Sequence, residues 1–384
     1  MFLKNKVILI ISPQSWTGLW VSKHHYALTL AQRGNQVYFL DPPVIGKSQG
    51  REKVTIDPSG VHPRLLIIRN FISFPYVFKF HLPFLFYLLI KPQIRNILKA
   101  VGRPLDIVWS FDLSNVYPLS FFPESALRIF HPVDLPHTDA GILGAKKADI
   151  IFSTSPEILK HYSHRKIPAF FIDHGVANIF LQDQVVSRHD SVIRIGYSGN
   201  LLRHDIDRAC MLHIIRDNSS VIFEFWGTDR VPDEKANEKE DADTIRFIRD
   251  LKSQANVILH GPVSYERLPA ALARMDGFLL CYDLSTKNRV GPNYHKLMEY
   301  FTTGKVIVSS YIELYASQPE LVKMVQELNN ANLPELFRSV ISDLGQHNSK
   351  ELQKKRKNYA QAHTYDKQLE KVEKLLSKSF AINT

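Results

Sequence analysis

Cysteine is almost absent: Cys210 and Cys281 are the only two in 384 residues. Two are too few for a disulfide framework, and both lie in apolar segments, which points to a reducing compartment, the cytoplasm. No Gly-x-Gly-x-x-Gly follows the first strand pattern, so the dinucleotide fingerprint is missing. No His/Cys metal-ligand spacing occurs, and no metal cofactor is expected. Basic–aromatic nucleic-acid motifs and zinc knuckles are missing too, so no nucleic-acid partner is expected. Long unbroken apolar runs are lacking as well. Phe71–Ile90 has 15 apolar residues in 20, but Pro75, Lys79, His81 and Pro83 interrupt it, which argues against a spanning helix. Met1–Lys6 and the apolar Val7–Ile11 are too short for a signal peptide and lack a small-residue cleavage site; they read as the start of a sheet.

What is present suits a globular protein. Apolar residues make up 45%, and a chain of this length favours two domains of about 180 residues each. The net charge of +10 is uneven. Residues 1–185 hold 20 Lys+Arg and 12 Asp+Glu, a balance of +8; the remainder holds 28 and 26, a balance of +2. A basic half favours an anionic partner: a phosphorylated substrate, an anionic membrane surface or nucleic acid, the last disfavoured by the missing motifs. Phe71–Ile90 has two readings. It is either a buried or surface helix of its domain, or a membrane-docking face beside Lys91, Arg95, Lys99 and Arg103.

The first half alternates strand and helix patterns. Strands are expected at Val7–Ile11, Val37–Leu40, Leu65–Ile68, Ile107–Ser110, Arg128–Phe130, Ile150–Ser153 and Ala169–Ile172, with a helix over Val21–Arg33 ending at Gly34-Asn35. Such a βα repeat predicts a doubly wound parallel sheet. The polar, aperiodic stretch Asn178–Ser191 reads as a linker, and Val192–Tyr197 starts a second α/β unit. Pro232–Asp243 reads as a solvated loop and Ser349–Thr384 as charged helix. The expected domains are 1–185, 190–348 and a helical segment 349–384.

Asn256–Ser310 is the most informative stretch. A strand (Val257–Leu259) ends at Gly261-Pro262, and a short helix follows with Tyr265 and Leu268 as anchors. A second strand (Gly277–Cys281) enters a polar loop; a helix opens at Asn293–Lys296, carries Glu299 and stops at Gly304 before Val306–Ser309. Gly261, Tyr265, Leu268, Pro269, Asp276, the run Lys296-Leu297-Met298-Glu299-Tyr300 and Gly304-Lys305, taken in this order and spacing, resemble the nucleotide-sugar half of GT-B glycosyltransferases, specifically the retaining family 4. That resemblance implies two Rossmann-like domains facing a central cleft, with a C-terminal helix crossing back to the first. Ala360, His363-Thr364-Tyr365 and Leu369 resemble that crossing segment, with tyrosine where the family usually has tryptophan.

The resemblance also implies roles. Gly196-Tyr197-Ser198-Gly199-Asn200 follows a strand, and its glycines let backbone N–H groups turn toward a phosphate; in the family this loop faces the donor pyrophosphate, and Arg203 matches the basic residue that neutralises the leaving group. Glu299 matches the second glutamate of the E-x7-E motif and suits a ribose diol, since a carboxylate accepts two hydroxyl hydrogen bonds. The first glutamate position is Gly291. Many relatives carry Asn/Ser-Pro-x-Lys-x-x-Glu instead, which Asn293, Tyr294 (in the proline position), Lys296 and Glu299 follow, with Lys296 near the pyrophosphate. Gly261 completes the donor-side set.

In the first domain, Gln14–Trp20 resembles the loop opening toward the substrates, with Gly18 its only glycine, and Lys23-His24-His25 opens the next helix. His24 and His25 are either acceptor contacts or ordinary helix-face residues. In His131–His137, Asp134 or His131 is placed to orient or deprotonate the acceptor hydroxyl, or to cap a turn. Asp173-His174-Gly175-Val176 matches a structural turn of the family. Asp205-Ile206-Asp207 and Asp241-Ala242-Asp243 do not directly follow an apolar strand, and read as helix N-terminal carboxylates rather than a metal pair. The expected function is transfer of a sugar from a nucleotide-sugar donor to a saccharide or lipid-linked acceptor, metal-independent and retaining, in cell-surface polysaccharide synthesis. The alternatives are a GT-B nucleotide-sugar epimerase and an inactive GT-B scaffold or carbohydrate-binding protein.

Overall fold

The computed structural model describes residues 2–17, 20–46, 53–136, 138–184, 190–230, 239–284 and 293–380. The chain divides into two compact units, Met1–Gly175 with Tyr365–Thr384, and Val176–Thr364.

In unit 1 short β-branched runs alternate with helical periods. The elements are β1 (Val7–Ile11), α1 (Ser22–Gln32), β2 (Gln36–Leu40), β3 (Val44–Ile45), β4 (Val54–Pro58), β5 (Leu65–Ile72), α2 (Phe78–His81), α3 (Pro83–Val101), β6 (Ile107–Ser110), β7 (Leu127–Phe130), α4 (Asp139–Leu143), β8 (Ile150–Ser153), α5 (Pro156–Lys160) and β9 (Ala169–Phe171). Among the described residues these strands form one nine-stranded sheet in the order β3-β5-β2-β1-β6-β7-β8-β9. All pairings are parallel except that of β4, which runs antiparallel on β5. The order reverses beside β1, where Ile8 pairs Val37 on one side and Ile107 on the other. A reversal of this kind opens a crevice at the strand C-termini. Parallel strands covered on both faces must be apolar throughout, and β6 and β8 are buried along their full length. Phe86, Ile90, Ile94, Ile97 and Val101 line one face of α3 and pack into this core, each contributing about 1.5–3 kcal/mol by burial.

Unit 2 repeats the design: β10 (Arg194–Ser198), α6 (Arg208–Asp217), β11 (Ile222–Trp226), α7 (Lys239–Lys252), β12 (Val257–Gly261), α8 (Leu268–Ala273), β13 (Gly277–Leu280), α9 (Lys296–Thr303), β14 (Val306–Ser309), β15 (Lys323–Met324), α10 (Leu333–Ser342), α11 (Leu344–His347) and α12 (Lys350–Ala362). Its parallel strands run β12-β11-β10-β13-β14-β15. The reversal falls between β10 and β13, with Ile195 paired to Phe223 and to Gly277. Helix α12 belongs here: its fully buried Arg356 donates to the carbonyls of Glu320, Gly304 and His347. The last helix, α13 (Tyr365–Phe380), belongs to unit 1, where Leu369, Val372 and Leu376 are buried and Asp366 meets Arg33 at 2.7 Å.

The structure departs from the sequence reading in several places. Phe71–Ile90 is not one helix: Phe71 and Ile72 end β5, and Pro83 starts α3, since proline suits the first helical turn, where no donor is needed. Lys239–Asp243 is the start of α7 rather than loop, because Phe247, Ile248 and Leu251 bury one face of that helix. Tyr265 precedes α8 instead of anchoring it from within, and packs edge-on to Phe180 at 5.2 Å. Helix α9 opens only at Lys296. The stretch read as a linker begins with a 3-10 turn, Asn178–Leu181, inside unit 2.

Candidate functional site

The reversal point of unit 2 gathers three of the residues singled out in the sequence. Gly199 follows β10 with φ +146°, a conformation that favours glycine. A Cβ there would stand 2.5 Å from the Lys296 Nζ. The loop is held from behind by Gly227, whose own Cβ would fall 2.0 Å from the Gly199 carbonyl oxygen. The Gly199 N–H donates to Trp226 and the Gly227 N–H to Gly261. The backbones ending β10, β11 and β12 are thus tied side by side, and Gly261 takes its place at the end of β12 with φ +68°.

Lys296, at the first position of α9, is only 5% exposed. Its ammonium donates to the Tyr282 hydroxyl at 2.8 Å and lies 4.1 Å from the Tyr197 ring centroid. Among the described residues no carboxylate lies within ion-pair distance of it. Arg203 reaches the same tyrosine: its Cζ is 6.0 Å from the Tyr282 ring, while Asp205 holds the guanidinium through Nε at 2.8 Å and through Nη2. The segment carrying Arg203 is pinned by backbone bonds from Asp207 to Cys281 and from Asp283 to Asp205. Tyr282 is fixed by Ser310, whose hydroxyl accepts its N–H, and by Tyr294 stacked at 4.1 Å. Tyr294 is therefore a packing residue of the core, and Asn293 beside it is half-buried. Asn200 turns its side chain back to accept the Leu202 N–H.

Glu299 lies one turn into α9 and is half-buried. Burial pushes its carboxyl up to about 8, with Lys296 pulling the other way. Its carboxylate has no hydrogen-bond partner among the described residues. On the same helix, Tyr300 clamps the end of β10, its hydroxyl accepting the Ser198 N–H at 2.7 Å. Gly291, the departure from the first glutamate position, lies outside the described residues.

In unit 1 the sequence candidates fare differently. His24 is fully buried; its Nδ1 accepts the Val21 N–H at 3.1 Å and its Nε2 donates to the Ser15 carbonyl at 3.1 Å. Both ring nitrogens are committed to the backbone, so the acceptor contact expected of His24 has no atom left to make it. His25 is buried and stacks on Tyr365 at 4.8 Å, a packing role. Burial pushes His24 down to about 4 and His25 to about 3. His131 is fully buried against Phe111 at 4.8 Å. Its Nδ1 accepts the Trp109 indole N–H at 3.3 Å, so Nε2 carries the proton and the ring has no lone pair for an acceptor hydroxyl. Burial, with His174 and Lys23 adding to it, holds its pKa near 3. The role of general base expected of His131 is corrected on this ground. Asp134, by contrast, is exposed and lines a cavity of about 730 Å3. Gly18 and His137 lie outside the described residues.

Sequence reasoning missed Tyr282 and Gly227, and named Lys23 without giving it a role. Lys23 is buried, bonded to Gln14, and pulled down to about 8 by burial while Asp134 and Asp112 hold it up. Gly227 carried a signal, a glycine closing an apolar strand; Tyr282 carried none beyond its place after β13. As for metals, Asp207, Cys210 and Cys281 bring ligand atoms within 4.8 Å of one another. Both Asp207 oxygens are already engaged, by the Cys210 N–H and by Asn330, so this group reads as a helix cap.

No protein-family model and no curated protein matches the sequence significantly. Solved structures do match. The sucrose-phosphate synthase of Thermosynechococcus elongatus superposes with a TM-score of 0.73 at 13% identity, over 98% of this chain and 100% of that one. Anabaena HepE in complex with UDP and glucose gives 0.65 at 11%, over 96% and 99%. The lipopolysaccharide outer core galactosyltransferase WaaB gives 0.62 at 13%, over 98% and 100%. Likeness over nearly the whole of each chain at such identities is likeness of architecture, and with the two reversing parallel sheets it gives this chain the GT-B fold.

Proposed function

We propose that the protein is a glycosyltransferase that moves a sugar from a nucleotide-sugar donor to a saccharide or lipid-linked acceptor. One observation carries this reading: a buried ammonium, Lys296, with no carboxylate within ion-pair distance among the described residues, beneath the Gly199 loop at the reversal point of the unit 2 sheet. A buried unpaired charge is costly, and an incoming diphosphate would relieve that cost. Arg203, sharing Tyr282 with Lys296, would supply the second cation, and Glu299, whose carboxylate accepts no hydrogen bond among the described residues, the acceptor for a ribose diol. As the nucleoside diphosphate leaves, negative charge collects on its phosphate; preorganised cations stabilise that charge without reorganising. Two fixed cations there are the reason we expect no metal requirement.

Retention of the anomeric configuration and a place in cell-surface polysaccharide synthesis remain expectations from the family resemblance. The basic charge of residues 1–185 supports a cytoplasmic enzyme working at the inner face of the membrane. The test uses UDP, the nucleotide named with HepE, as probe alongside other nucleoside diphosphates. Calorimetry should show binding to the wild type and loss of it in Glu299→Ala, with the fold intact by circular dichroism. A Glu299→Ala variant that binds every diphosphate as the wild type does removes the donor site as drawn.

A further inference from the structure

The cavity of unit 1 lies where the loops after β6 and β7 meet α2 and α4. Tyr76, Phe80, Tyr87, Leu113, Leu135 and Leu143 supply much of its wall. At about 730 Å3 it matches the size of ligand sites, which are mostly apolar with a few placed polar groups. Among the described residues lining it, the one cation is Lys79. The ammonium lies 5.5 Å from the Tyr76 ring centroid and 5.6 Å from that of Phe80, with the Tyr76 hydroxyl at 3.4 Å. No carboxylate pairs with it among the described residues. The acid whose field reaches it, Asp112, is spent on the N–H groups of Ser114 and Val116. Asp134, Asp139, Ser114 and Thr138 give the same cavity hydroxyl-binding groups.

The surface beside this cavity is unusual in two ways. Phe80, Leu82, Phe84 and Leu88 are exposed, Phe84 at 84%. Phe84, Leu88, Lys91, Arg95 and Lys99 recur at helical spacing along α3 and are all exposed, so one stripe runs from apolar to cationic. Residues 58–105 contain seven Lys or Arg and no Asp or Glu. An exposed apolar patch that runs into cations along the same helix suits an anionic lipid surface. Among the described residues no helix is long and apolar enough to cross a membrane, so contact would be lateral.

We propose that this cavity binds a phosphorylated amphiphile taken from an anionic lipid surface on which the α3 stripe rests, Lys79 meeting the phosphate, the aromatic wall the apolar chain, and Asp134 and Asp139 the hydroxyls of an attached sugar. Calling this ligand the acceptor rests on the transfer reading; its binding does not. The probes are decyl phosphate below its micelle concentration, inorganic phosphate and decanol, titrated by calorimetry into the full-length protein. Decyl phosphate binds at one site, and Lys79→Gln weakens it about tenfold or more, the loss expected for a charged hydrogen bond; neither half of the probe alone reaches that affinity. Phe80→Ser, at an exposed position outside the core, also weakens it. Vesicles of phosphatidylcholine with phosphatidylglycerol pellet the wild type, neutral vesicles do not, and Phe84→Ser/Leu88→Ser abolishes pelleting. Equal affinity of Lys79→Gln and wild type for decyl phosphate, equal binding of decanol, or equal pelleting by neutral vesicles overturns the proposal. UDP titrated into the same preparation separates the two readings: decyl phosphate binding without nucleotide binding removes glycosyl transfer and leaves the site, and the converse removes the site alone.

Discussion

The two sheets share the order of six central strands, yet the residues singled out at their C-terminal edges are held differently. In unit 1 the histidines singled out after β1 and β7 are locked in: His24 is bound by two backbone groups, and His131 is stacked among aromatics with its Nδ1 occupied. In unit 2 the residues at the matching edge are held by neighbouring backbone and rings. Among the described residues, Lys296 has hydroxyl and ring partners but no carboxylate within ion-pair distance, and the Glu299 carboxylate accepts no hydrogen bond. A polar side chain near a strand end is therefore not by itself a ligand-binding group. What distinguishes one is a charge whose compensation the protein does not supply.

The contrast predicts which substitutions damage binding and which damage folding. Lys296→Ala should have the largest effect on function. It removes a preorganised cation, and turnover with donor should fall by about 10²–10³. Affinity for UDP should fall with it, while affinity for uridine, which has no phosphate, should hold; a parallel loss of both would make Lys296 a structural residue like those of unit 1.

His24→Ala is the converse test. The Val21 N–H and Ser15 carbonyl lose their partner, and a hole opens beside Trp16, Trp20 and Phe39. Stability should fall by about 2–3 kcal/mol, and the UDP affinity of the folded protein should not change. The same burial gives unit 1 an acid limit. His24, His25 and His131 have folded values near 4, 3 and 3, below the ordinary 6.5. Depressed histidine values mean stability that is fully present above 6.5 and is lost as pH falls toward the folded values. Circular dichroism across pH 7 to 4 measures both effects; a His24→Ala variant that keeps the wild-type acid sensitivity in full would place the limit elsewhere.

Much of this was legible in the sequence, for a physical reason. Parallel strands are apolar on both faces, so Ile107–Ser110, Ile150–Ser153 and Val306–Ser309 stand out as short runs whose surroundings need not be known. Strand Ile222–Trp226 went unread because Glu224 interrupts its run, and only tertiary contacts explain that acid: it is held by Arg194 at 2.7 Å and by His260 at 2.7 Å. The site divides the same way. Gly199, Lys296, Arg203 and Glu299 were singled out through the family resemblance. Tyr282, which carries the first two cations' geometry, sits after β13 in a position where spacing says nothing. His24 and His131 misled because a sequence shows that a histidine follows a strand, and hides whether its nitrogens are already bonded.

The smallest expected effect is the one with the sharpest sign. Glu299 titrates near 8 in the free protein against an ordinary 4.5. A raised folded value means stability that is fully present below 4.5 and is lost as pH rises through 8. Glu299→Gln keeps the shape and removes the charge, so it should match the wild type at pH 4–5 and exceed it at pH 9. Solvent reaching the half-buried carboxylate screens most of what the full shift would be worth, so the gain in melting temperature should be about 2–4 °C, the equivalent of about 1 kcal/mol for a unit of this size. Saturating UDP should reverse the order, because the ionised carboxylate then has hydroxyls to accept, and binding should release a proton, measurable by calorimetry in buffers of different ionisation enthalpy. A Gln variant no more stable than the wild type at pH 9 would mean that Glu299 is solvated like any surface carboxylate, and the difference drawn between the two sheet edges would then rest on Lys296 alone.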